Sequence, residues 1–146
     1  MIGFNHGLVG GLIGKFIPWP LGIPLALASH FALDTLPHYG IPPKKRDKSL
    51  FWKLFFTLDF FATLSLAVWA IAHHHYAMYV CGQIAVLPDF VWVAHVVRKH
   101  TFDFSGAKNR FERWHIKIQH HEFAGGIWIE LPLAAVLFYF CILQTP

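Results

Sequence analysis

Apolar positions along this chain gather into long unbroken runs, with neither the strict alternation of half-buried strands nor the narrow stripe of a soluble surface helix. Three runs, Leu50–Ala72, Tyr76–Val97 and Phe123–Leu143, reach the length of about 20 residues that a helix needs to cross a bilayer. A further apolar region extends from Leu8 to about Leu36, but "IPWPLGIP" interrupts it. Pro18, Pro20 and Pro24 break any single helix there. The pattern predicts two shorter helices, about 4–16 and 21–36, joined by a turn at Pro18–Pro20. Gly3, Gly7, Gly10, Gly11 and Gly14 recur at roughly helical spacing, a small-residue face suited to close helix packing. The chain shows no long repeat and no low-complexity tract.

Composition moves these runs into a membrane. Of 146 residues, 55% are hydrophobic and 14% charged, with a mean hydropathy of +0.45. Soluble domains carry about a quarter charged residues. The length predicts one domain, an integral membrane domain over 1–146. The net charge of +4 does not point to nucleic acid, because the basic residues are confined to "PPKKRDK" (42–48) and the segment from Arg98 to Lys117. The positive-inside rule puts both in the cytoplasm, with "HHHY" (73–76) and the terminal "QTP" on the other side and Lys15 as one contrary charge. No basic n-region precedes the first apolar run, so no cleavable signal is expected. Cys81 and Cys141 lie in apolar runs and read as small hydrophobes. In "NRFERWHIKIQHH", Phe111, Trp114, Ile118 and His121 fall at helical spacing, with Arg110, Arg113 and Lys117 able to meet headgroups, which predicts a cytoplasmic interfacial helix. The expected fold is an all-α polytopic bundle in a bacterial inner membrane. It has three full spans, an N-terminal hairpin of short helices and that interfacial helix.

The chemistry lies in the polar residues these runs tolerate. Asp34, Asp59, Asp89 and Glu130 sit inside apolar segments, where an ionisable group costs about 2.5–3.5 kcal/mol and usually faces the bundle interior. At 1.5 Å per residue, Asp59 and Asp89 are both about 14 Å from the cytoplasmic end, Glu130 about 10 Å and Asp34 no deeper. The four are expected to meet in one cavity in the cytoplasmic half. Three of them stand beside Leu-Pro, in "DTLPH", "LPDF" and "IELP". A proline there frees a backbone carbonyl and bends the helix.

His30, Asp34 and His38 are spaced by four, along one face of a helix, as metal-binding helices present imidazole and carboxylate to one ion. Pro37 disfavours helix at Leu36, so His38 is expected near a bend. His6 opens the first helix on the same side. With Asp89 these give the expected ligand set His6, His30, Asp34, His38 and Asp89. Histidine nitrogen and carboxylate oxygen suit zinc, iron or manganese, and zinc is favoured. His95, His115, His120 and His121 are further candidates at the cavity mouth, and Glu112-x-x-His115 matches a step used in di-metal bundles.

"NHGLVGGLIG", "SHFALDTLPH" and the later "LPD" together resemble the YdjM-like inner-membrane metal-dependent hydrolases, the LexA-binding family. His6, Asp34 and His38 match that family's pattern, although its Pro-Asp-x-Asp-His order stands here as Asp-x-x-Pro-His. The same string is similar to the zinc-binding helix of zinc-dependent phospholipases C. The resemblance covers about the first 40 residues and a little around Asp89. It implies a metal-assisted hydrolase acting on a phosphoester or lipid.

On that reading a bound divalent metal activates water. Asp59 or Glu130 serves as general base, its pKa raised by burial. Lys44, Lys45, Arg46 and Arg98 hold an anionic headgroup at the mouth. A di-iron lipid hydroxylase or desaturase is an alternative, since "HVVRKH" and "HIKIQHH" look like histidine boxes. A proton or ion pathway, or an assembly subunit without catalysis, is another.

Overall fold

Proline and glycine decide where the first helices stop and how closely they pack. A computed structural model of the chain describes residues 1–103 and 109–143. The terminal "QTP" and residues 104–108 of the second basic segment lie outside the described residues. Helix α1 runs Gly3–Phe16 and α2 runs Trp19–Asp34, with Pro18 in extended geometry between them and Pro20 in the first turn of α2. This is the expected hairpin. After Asp34 the helix closes on Thr35, because Pro37 disfavours helical geometry at Leu36.

Three helices are long and apolar enough to cross a membrane: Leu50–Ala72, Tyr76–Lys99 and Ala124–Leu143, with mean hydropathies of 1.9, 1.6 and 2.0. The first is α4, preceded by the single turn α3 (Pro43–Arg46) and capped by the Ser49 hydroxyl, which accepts from Trp52 N. The second is α5 (Tyr76–Val86) and α6 (Phe90–Lys99), joined through a 3-10 turn at Leu87–Asp89 where Pro88 sits. The third is α8 (Ile127–Phe138), entered through a 3-10 turn and ending in a π turn over Tyr139–Leu143. Between the last two spans lies α7 (Arg110–Ile118), the expected amphipathic helix, capped by Asn109. Large apolar side chains point away from the protein on the spans, among them Leu58 on α4 and Trp128 on α8, which is 79% exposed. Exposed apolar surface of this kind is what helices long and apolar enough to cross a membrane present to hydrocarbon.

Helix α1 is the axis of the bundle, in contact with α2, α4, α5 and α8. Its closest neighbour is α5. A Cβ at Gly10 would stand 2.5 Å from the Cys81 carbonyl oxygen, and one at Gly14 would stand 2.2 Å from that of Ala77. The small-residue face therefore packs backbone against backbone. His6, Gly10 and Gly14 recur every four residues, so the same contact points His6 at the other end into the bundle. Lys15, the contrary charge, donates to the Phe140 carbonyl at the end of the last helix, where a cation meets the negative pole.

The purely helical expectation misses one feature. His38–Tyr39 (β1) and Glu122–Phe123 (β2) form a short parallel pair, with His38 opposite Glu122. Prolines 37, 42 and 43 keep the first segment extended. Gly126 lets α8 start against it, since a Cβ there would lie 2.0 Å from the His38 carbonyl carbon. On the neighbouring loop, Asp47 accepts from the Thr101 hydroxyl and from Phe102 N, and those hydrogen bonds hold its carboxyl below the usual carboxylate range.

Two outcomes follow from this architecture. Gly14→Val forces α1 off α5 and is expected to cost about 1–3 kcal/mol or more, read as a lower unfolding temperature in detergent. Leu25→Ala, on an exposed position of α2, leaves it nearly unchanged. With the basic loops cytoplasmic, a membrane-impermeant thiol reagent reaches Lys45→Cys from the cytoplasmic side and His73→Cys from the opposite side. The native Cys81 and Cys141 are buried and stay silent. Labelling of both from one side would reject the orientation.

Candidate metal centre

The 3-10 turn at Leu87–Asp89 does more than bend a span. Helical bonding is interrupted there, and the Ala85 carbonyl turns to His30, whose Nδ1 lies 2.8 Å away. A carbonyl oxygen can only accept, so Nδ1 carries the proton and Nε2 offers a lone pair. Metal-ligating histidines are held in this way by a backbone partner on the far nitrogen.

His30 Nε2 faces the Asp34 carboxylate one turn along α2. It lies 3.2 Å from Asp34 Oδ2 and 3.0 Å from His115 Nε2. His115 Nε2 is in turn 2.7 Å from Asp34 Oδ2. Three donor atoms thus stand within 2.7–3.2 Å of one another on α2 and α7. Asp89 completes the group, and ligand atoms of His30, Asp34, Asp89 and His115 all lie within 4.8 Å of each other. Ligands about 2.0–2.1 Å from a tetrahedral zinc are about 3.3 Å apart, so a small contraction or expansion of this set surrounds one ion. Among the described residues this is the group of three or more such side chains that could hold a metal ion.

The surroundings fix the group. His30, Asp34 and His115 are fully buried, while the Asp89 side chain is 18% exposed. His6 stacks on the His30 ring with centroids 4.1 Å apart. Its Nε2 is 3.1 Å from Asp34 Oδ1 and 3.9 Å from Asp89 Oδ2, and its buried Nδ1 has no partner. The Met1 amine donates to Asp34 Oδ1 at 2.7 Å, and Gln119 Nε2 donates to Asp34 Oδ2 at 3.1 Å. Trp92 and Phe111 lie beside the His115 ring, at centroid distances of 5.5 Å. Phe31 packs on Trp114 at 4.8 Å and seals α7 against α2.

The four acids do gather at one end of α1, but in two occupations. Helix α1 has no side-chain cap of its own. Asp59 accepts from Gly3 N and Phe4 N, both at 2.9 Å, and Glu130 Oε1 accepts from Ile2 N at 2.8 Å. Two carboxylates from other helices therefore satisfy the N–H groups that a helix start leaves open. These contacts engage the pair considered for the general base, apart from the buried Glu130 Oε2, which has no partner.

His38, expected with His30 and Asp34 on one helical face, is off that face because α2 ends at Asp34. Its Nδ1 lies 2.7 Å from the Leu36 carbonyl, and its buried Nε2 looks at Glu122 from 3.8 Å. Arg46 is buried as well, bonded to Glu122 and to the Ile41 carbonyl, and stacked 4.7 Å over Trp52. Lys44, Lys45 and Arg98 are exposed. His95 is half-buried on α6, and His120 and His121 are exposed, their Nδ1 atoms on the carbonyls of Ile118 and Thr35. None of these three joins the centre. Gln119 was missed in the sequence, although it follows His115 by one helical turn and so shares its face. The Ala85 carbonyl was foreshadowed only by the nearby Pro88, which breaks the regular helix there.

No known family, curated protein or solved structure matches the chain.

The two occupations of the acids are separable by experiment. Asp59→Ala strips two buried N–H groups of their acceptor, at about 1–3 kcal/mol for each. It is expected to lower the unfolding temperature and leave metal per chain unchanged. Loss of metal with stability intact would return Asp59 to the centre.

Proposed function

We propose that this chain is a membrane-embedded metal-dependent hydrolase working on a lipid or phosphoester at the cytoplasmic face. One observation carries the reading: His30, Asp34, Asp89 and His115 converge, with His30 oriented by the Ala85 carbonyl as ligating histidines are. The resemblance of the N-terminal motifs to YdjM-like hydrolases and to the zinc helix of phospholipases C points the same way.

The donor set of histidine nitrogen and carboxylate oxygen suits zinc. A bound zinc supplies a water of near-neutral pKa and polarises the scissile group. His30, Asp34 and His115 hold from the closed side, since all three are buried. Asp89 is the partly exposed member, so its second oxygen is the one able to take a proton from water arriving at the centre. His6, hydrogen-bonded to Asp34 Oδ1 at 3.1 Å, helps to fix that ligand. Gln119 fixes Asp34 from α7. The di-iron reading has less support, because His95, His120 and His121 stay outside the group and one cluster is found among the described residues.

Elemental analysis of purified protein tests this. About one zinc per chain is expected, and His30→Ala, Asp34→Asn or His115→Ala should each lower it by about tenfold or more. His120→Ala, on an exposed position, leaves it unchanged. Iron with an optical band would favour the oxygenase. Folded protein with no metal would favour a proton pathway through the same acids. Full occupancy in a folded Asp34→Asn variant would remove the centre as drawn.

A further inference from the structure

A cavity of about 250 Å³ lies beside the centre, between α4 and the α5–α6 span. Its two ends differ in chemistry. One end carries Asp89, which also belongs to the metal cluster, with Gln119 and the ion pair of buried Arg46 with half-buried Glu122. The wall away from that end is mostly hydrocarbon, formed by Phe56, Phe60, Leu64, Ala67 and Val86, with Asp59, Thr63 and Gln83 set among them.

The way in is equally specific. Phe60, Leu64 and Phe90 line the cavity and are 41–49% exposed. All three belong to helices long and apolar enough to cross a membrane. The mouth therefore opens sideways, towards the hydrocarbon of the bilayer. A water-soluble substrate has no reason to arrive by that route. A lipid chain meets a mostly apolar wall along that route.

We propose that this cavity holds a hydrocarbon chain of a membrane lipid, which slips in laterally past Phe60, Leu64 and Phe90 and brings its headgroup linkage up to Asp89. The substrate class is then a chain-bearing amphiphile, cleaved near the junction of chain and headgroup. This rests on the hydrolase reading for the position of the scissile bond, but the chain site itself does not need a metal. Ala67 is the position where a larger side chain would fill the apolar end without touching Asp89 or the other ligands.

The test uses full-length protein in vesicles of phosphatidylglycerol containing a fraction whose acyl chain carries a mid-chain diazirine. After irradiation, adducts are mapped by peptide mass spectrometry, and zinc is measured on the same samples. Adducts on the cavity-facing Thr63, Ala67, Gln83 and Val86 are expected in the wild-type protein. They should fall to background in Ala67→Trp, with zinc retained, and persist in Asp34→Asn. The wild-type map decides without any variant: adducts confined to outward residues such as Leu58, Phe61 and Val68 would overturn the proposal. Inward adducts on protein that binds no zinc would keep the chain site and remove the hydrolase reading. Zinc without inward adducts would do the reverse.

Discussion

The Asp34 carboxylate is fully buried, and what satisfies it comes from residues far apart in the chain. The Met1 amine and His6 approach one oxygen; His30, His115 and Gln119 approach the other. A charge so placed is tolerable only while those partners are present, since an unpaired buried charge costs several kcal/mol. That requirement dictates much of the rest. Helix α1 must start beside the end of α2, and α7 must fold back over the bundle. The α5–α6 span must break at Pro88 so that its carbonyl reaches His30 and Asp89 faces inward.

The small residues of α1 are the means by which this is done. Packing Gly10 and Gly14 against the backbone of α5 seats α1 within the bundle, where His6 stacks on His30 of α2. The start of α1 then falls between α4 and α8, where Asp59 and Glu130 wait as caps. The placement of the carboxylates and the packing of the helices are thus two views of one arrangement of charge. Asp34 and Asp89 face the imidazoles, while Asp59 and Glu130 hold the first turn of α1 in place.

Much of this could be read from the residues. Runs of about 20 apolar residues fix spans through bilayer thickness, and three prolines in eight residues fix the hairpin turn. The glycine face and the inward acids are legible because membranes leave so few reasons for either. What could not be read was which acid does what. Asp34 and Asp59 look alike in sequence, yet one meets imidazoles and the other meets backbone N–H groups, and that division depends on where α1 begins in three dimensions. Pro37 forewarns that His38 lies beyond the end of α2, but the partner it then faces, Glu122, comes from a segment 84 residues away and is not legible locally. The β1–β2 pair joins segments 84 residues apart in register, and nothing local in two-residue strands announces it.

The distance along the chain between Ile2 and Glu130 is 128 residues, and it bears on how the molecule is made. Domains are built from the N-terminus as the ribosome proceeds, so α1 and α2 exist while α7 and α8 are still unsynthesised. During that interval Asp34 lacks His115, and the amide of Ile2 lacks its carboxylate. The young hairpin is a charged, uncapped element whose partners have not arrived. Its maturation is therefore tied to the last helix, and a truncated chain holds no version of this centre, however well its first spans insert.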